Sequence, residues 1–154
     1  MTTGAEPPAR PGRVMVDTNV LLAATDESRE RHERALAVLN DWPSAGTVLY
    51  VSGQILREYL VVATRPAHVN GLGLDRTDAL ANARLIRRRT RLAEEDSKVA
   101  ERLLTLLEHV PCTGKQVHDA NVVATMLVHG IGSVVTHNTD HFARFGDHVS
   151  LIGL

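Results

Sequence analysis

The stretch Gly12-Arg13-Val14-Met15-Val16-Asp17-Thr18-Asn19-Val20-Leu21-Leu22 decides the fold. Residues 14–16 are an apolar run too short for a helix and bounded by Gly12 and Asp17, which predicts a buried strand. Polar Asp-Thr-Asn then turns the chain into a helix over residues 19–25. The same alternation continues. Residues 47–51, rich in β-branched side chains, read as a strand, and Ser52 is the N-cap of a helix reaching about Arg65. Residues 133–136 and 149–152 are two more strands. Between them the spacing predicts helices over 29–41, ended at Trp42-Pro43, and from Asp75 into the basic stretch ending at Arg91. Further helices are expected over 96–110, over 118–129 with Gly130 as the stop, and over 139–145. Strands alternating with helices imply an α/β fold, a central parallel sheet of four to five strands covered on both faces. Residues 1–12 read as a disordered tail and residues 13–154 as one domain, with no repeat or linker.

Four acids stand against apolar surroundings. Asp17 follows the first strand, Glu58 interrupts Ile55-Leu56-Arg57-Glu58-Tyr59-Leu60, Asp119 opens Ala120-Asn121-Val122-Val123-Ala124, and Asp140 follows the strand at 133–136. A carboxylate taken from water costs several kcal/mol unless it is paired, hydrogen-bonded or bound to a cation. In open parallel sheets the ligand crevice lies outside the carboxyl ends of the strands, where Asp17 and Asp140 fall. Asp119 lies on the inward arc of its helix with Val122, Val123, Met126 and Leu127, and Glu58 projects between Val61 and Val62. Converging carboxylates suit Mg²⁺ or Mn²⁺, hard ions that take oxygen ligands and leave positions for a phosphate. Thr18, Asn19 and Thr136 are neutral donors suited to ordering water around such an ion.

Four segments, in order, carry a resemblance. Val16-Asp17-Thr18-Asn19-Val20-Leu21-Leu22, Val51-Ser52-Gly53-Gln54-Ile55-Leu56-Arg57-Glu58-Tyr59, His118-Asp119-Ala120-Asn121-Val122-Val123-Ala124-Thr125-Met126 and Thr136-His137-Asn138-Thr139-Asp140-His141-Phe142 resemble the motifs of PIN-domain nucleases, the VapC-type toxins most of all. The resemblance implies a PIN-like three-layer domain and a magnesium- or manganese-dependent endoribonuclease. It also implies a homodimer held in check by a cognate antitoxin. By matching positions, Asp17, Glu58, Asp119 and Asp140 form the acidic site, with Asp17 and Asp119 as the metal ligands. One position departs from the pattern. His141 stands where many relatives have an aspartate, so Asn138 competes with Asp140 for the fourth corner.

Composition sets the bounds. Seventeen basic and eighteen acidic residues leave a formal charge of -1, so any contact with nucleic acid must be local. The basic stretch Arg84, Arg87, Arg88, Arg89 and Arg91 reads first as a solvated helix face and second as a phosphate contact. The single cysteine, Cys112, excludes an intrachain disulfide and fits a reducing cytoplasm, and no apolar run approaches the ~20 residues that span a bilayer. The eight histidines lack zinc-site spacing, and Gly71-Leu72-Gly73 reads as a turn. Each acid also has a plainer reading, as a helix cap or first-turn acid for Asp17, Asp119 and Asp140 and as an arginine partner for Glu58. The rival to a nuclease is a non-catalytic RNA- or protein-binding module with a degenerate acidic site. A metal-dependent phosphatase is disfavoured, because Asp17-Thr18-Asn19 lacks the second acid of a phospho-aspartate mechanism.

Overall fold

The computed structural model describes residues 12–154; the expected tail over residues 1–12 lies, but for Gly12, outside them. Five strands form one sheet in the order β3-β2-β1-β4-β5, every pairing parallel. They are β1 (Arg13–Val16), β2 (Val48–Ser52), β3 (Arg91–Ala93), β4 (Ser133–Thr136) and β5 (Ser150–Gly153). The helices are α1 (Thr18–Thr25), α2 (His32–Asn40), α3 (Gly53–Thr64), α4 (Arg76–Arg89), α5 (Ser97–His109), α6 (Gln116–His129) and α7 (Thr139–Phe142).

Sequence order and strand order together fix the layers. The chain steps outward from β1 to β2 to β3 and then returns past β1 to β4 and β5. Parallel crossovers are right-handed, so α1 to α4 cover one face and α5 to α7 the other. Buried Val14, Met15 and Val16 make β1 the middle of the core, with Leu49, Val51, Val134 and Val135 beside it. Trp42, Tyr59, Phe142 and Phe145 supply the large buried side chains of an otherwise aliphatic interior.

Two elements differ from the reading of the sequence. The segment expected as a helix from residue 29 begins at His32, because Asp26 Oδ1 accepts from the Ser28 N–H at 3.0 Å and closes a turn. Arg31 then takes a left-handed φ of 66°, which no helix continues. The second difference is β3, which falls at the end of the expected basic helix. α4 stops at Arg89, Thr90 is extended, and Arg91–Ala93 pairs with Tyr50–Ser52. A three-residue edge strand with one buried side chain gives no periodic signal. Ser52 and Gly130 do what the sequence suggests: the Ser52 Oγ accepts from the Ile55 N–H, and Gly130 closes α6 at φ 67°.

Candidate active site

The strand order reverses at β1, whose neighbours β2 and β4 are entered from opposite directions, and the carboxyl edge at such a reversal is where open parallel sheets bind ligands. Asp17 is the first residue beyond β1 and Thr136 the last of β4. The Thr136 hydroxyl donates to Asp17 Oδ2 at 2.8 Å, and the Thr18 N–H donates to Oδ1 at 2.8 Å, so Asp17 also caps α1. The plain capping reading of Asp17 therefore holds as far as it goes. It leaves the charge unanswered: both donors are neutral. Burial pushes the Asp17 carboxyl up to about 6 against the pull of those two hydrogen bonds, and the negative charges of Asp119 and Glu58 add to the rise.

Glu58 enters from α3, which Ser52 starts at the end of β2. The Thr18 hydroxyl donates to its Oε2 at 2.8 Å, and the Gln54 side-chain amide donates to its Oε1 at 2.9 Å. Its donors are thus neutral too, and no ion pair joins it to Arg57 among the described residues. Asp119 lies half-buried in the first turn of α6. Burial raises its carboxyl above the ordinary value and Glu58 raises it further, while positive charge on His141, Arg144 and His118 opposes the rise. Asp17, Glu58 and Asp119 therefore share one electrostatic neighbourhood. Asp140 is exposed in the first turn of α7 and is not among the groups that shift Asp17 or Asp119. His141, one residue on, is among the groups that oppose the rise at Asp119.

The polar residues Thr18, Asn19, Thr136 and Asn138 lie together at this edge of the sheet. Asn19 donates to Thr136 Oγ1 at 3.3 Å and accepts from the His137 N–H at 3.0 Å, and the Asn138 N–H donates to Thr136 Oγ1 at 3.1 Å. Asn138 contributes through its backbone. Three residues were missed. Gln54 and Asn121 join Glu58 to Glu95, which lies two residues beyond β3 at the same edge of the sheet. Gln54 and Asn121 carried a signal, as amides on the inward faces of apolar helices. Glu95 carried none, because its strand was not recognised.

The donor set fits a hard divalent ion: hydrogen-bonded carboxylates with no cationic side chain in salt-bridge contact. Among the described residues, no three His, Cys, Asp or Glu side chains are grouped closely enough to ligate one ion together. Magnesium does not need three, since it is commonly held by one or two carboxylates while water and substrate phosphate complete its shell. Beside the acids runs an open groove of about 280 Å³ lined by Gln54, Arg57, Glu58, Val61, Val62, Arg65 and His118. On the α1–α4 face a second depression, about 230 Å³, is lined by Ala24, Leu36, Leu39, Leu85 and Ile86 together with Thr25, Asn82 and Arg89.

Comparison with solved structures returns this same fold. VapBC2 from Rickettsia felis, solved bound to a DNA fragment from its promoter, aligns with a TM-score of 0.67 at 15% identity, over 92% of this chain and 98% of that one. The Salmonella typhimurium VapBC solved bound to DNA gives 0.66 at 19% identity, over 92% and 97%. Mycobacterium tuberculosis VapC20, a toxin that cleaves the sarcin–ricin loop, gives 0.63 at 20% identity, over 84% and 93%. No curated protein sequence matches the chain. The sequence profile of the PIN domain matches residues 14–147, which include all four motifs and the acids Asp17, Glu58, Glu95, Asp119 and Asp140, and the chain belongs to the PIN-domain family.

Proposed function

We propose that the chain is a metal-dependent endoribonuclease, the toxin of a toxin–antitoxin pair working in the cytoplasm. The observation that carries this reading is Asp17: a carboxylate buried beside Asp119 and Glu58, held only by neutral donors and pushed up to about 6. Capping α1 does not require so deep a burial beside two other acids, whereas a cation site does. Asp17 and Asp119 hold Mg²⁺ or Mn²⁺, with Asp140 or the Asn138 corner closing the site. When bound, the ion neutralises phosphate charge and makes water a stronger nucleophile. Glu58, fixed on both oxygens by Thr18 and Gln54, keeps lone pairs free to orient the attacking water in line with the scissile bond. Arg57 and Arg65 on the adjoining groove meet backbone phosphates, and exposed Val61 offers an apolar floor to a splayed base.

The partners follow the same reading: RNA as substrate, a homodimer, and an antitoxin whose apolar helix or tail covers the depression between α1, α2 and α4. One observation favours the rival binding module, namely that His141, close enough to Asp119 to influence its carboxyl, stands where a further acid is expected. A single expression experiment separates them. Induced wild-type chain should arrest growth and leave mapped cuts in cellular RNA, relieved by a co-expressed partner. Asp17→Asn should fold and do neither. Full cleavage by well-folded Asp17→Asn would sink the nuclease assignment, and a wild type that cuts nothing in excess Mn²⁺ would support the module.

A further inference from the structure

Gln54 is 5% exposed, yet every polar atom of its side chain is engaged. Its Nε2 donates to Glu58 Oε1 at 2.9 Å and to the His118 carbonyl at 2.9 Å, while its Oε1 accepts from Asn121 Nδ2 at 2.7 Å. The second hydrogen of the Asn121 amide goes to Glu95 Oε1 at 2.7 Å. Glu95 Oε2 in turn accepts from the Gln54 backbone N–H at 2.7 Å, at the positive end of α3. The bonds close a ring from the Gln54 side chain through Asn121 and Glu95 back to the Gln54 backbone. Its polarity is unambiguous. Turning the Gln54 amide over would set its oxygen against the Glu58 carboxylate and the His118 carbonyl, and its nitrogen against a donor.

The ring spans three segments otherwise far apart in the chain: the start of α3, the exit of β3 and the first turns of α6. Within it, Gln54 alone touches both the acid of α3 and the backbone beside the acid of α6, since His118 precedes Asp119. Its chemical type matters. An arginine or lysine at this place would also grip Glu58, but it would cancel the charge. A neutral amide orients the carboxylate and leaves its charge available to a cation.

We propose, resting on the nuclease reading above, that Gln54 is a positioning residue, which through Asn121 and Glu95 sets the orientation of Glu58 and its placement relative to Asp119. The opposing view is that the ring only pins α3 to α6. The test uses Gln54→Met, close in volume and unable to hydrogen-bond, with the full-length chain as reference. Three quantities are compared: melting temperature in chelator, Mn²⁺ affinity by calorimetry, and kcat and KM on an RNA oligonucleotide. The expected result is a folded variant whose Mn²⁺ affinity or kcat falls about 10–100-fold while KM stays within about twofold, the usual size of effect for groups that orient metal ligands. Should Gln54→Met fail to fold, Asn121→Ala, on the half-exposed side of the ring, must show a loss in the same direction. A lowered melting temperature with Mn²⁺ affinity and kcat unchanged, in an active background, overturns the positioning role alone. A wild-type chain that neither binds Mn²⁺ nor cuts RNA overturns this role together with the nuclease reading.

Discussion

Two neutral donors reach Asp17, the Thr18 N–H and the Thr136 hydroxyl, and neither offsets the burial that carries its carboxyl from 3.8 to about 6. The consequence for stability has a definite sign. The folded chain holds this proton more tightly than the unfolded one, so stability falls as pH rises from about 4 through 6 and the loss is complete above that. An ionised Asp17 then costs up to about 3 kcal/mol. In chelator, Asp17→Asn should match the wild type near pH 4 and exceed it in urea stability at pH 8, by up to that amount. A difference that stays constant with pH would refute the burial argument. Single residues were legible in the sequence when their surroundings were. Asp17 and Thr136 each border an apolar strand, so their place at the sheet edge could be read directly. Asp140 was expected there too and stands exposed on α7, since following a strand says little about which way a first-turn side chain points. Glu95 lies two residues past Arg91-Leu92-Ala93, and nothing in those three residues announces a strand.

At the scale of elements, caps and stops were readable because their chemistry is local: Ser52 on α3, Asp75 on α4, Gly130 after α6. Close packing was not. Gly71 reads in the sequence as a turn glycine and nothing more. In the fold, residues 71–74 bend back along the end of α3, with the Leu72 N–H bonded to the Val62 carbonyl at 3.0 Å and the Gly73 N–H to the Arg65 carbonyl at 2.9 Å. A Cβ on Gly71 would overlap the Arg65 carbonyl oxygen, backbone that cannot swing aside. Gly71→Ala is therefore expected to lose about 1–3 kcal/mol in urea unfolding, the range for overpacking. Stability equal to wild type would mean that the loop does not pack against α3 in this way.

Across the whole molecule, the sheet order could be narrowed from sequence to a parallel α/β sheet, but the reversal at β1 could not, because it depends on which strands pair. That reversal puts the acids of α3 and α6 on either side of Asp17, and their mutual repulsion is spread over elements from both layers. A divalent ion that relieves it acts on the fold as a whole. Adding Mn²⁺ at about 100 times its Kd should stabilise the wild type by about 2.7 kcal/mol, chelator should remove the gain, and Asp17→Asn should show little of it. A melting temperature indifferent to Mn²⁺ in the wild type would argue that the acids do not act together.

The pairing of β1 with β4 joins residues about 120 positions apart, with Val14 opposite Ser133 and Val16 opposite Val135. Such distant partners meet late, since the long intervening loop must close before the contact gives anything back. On a translating ribosome, the growing polypeptide already carries Asp17, Glu58 and Asp119 while Thr136 is still to be added. Until β4 emerges and docks, Asp17 lacks both the hydroxyl and the neighbouring strand that hold it. Under the nuclease proposal, a chain built this way would stay inert beside the RNA-rich machine that makes it, and cutting power would arrive only with the closing of the sheet.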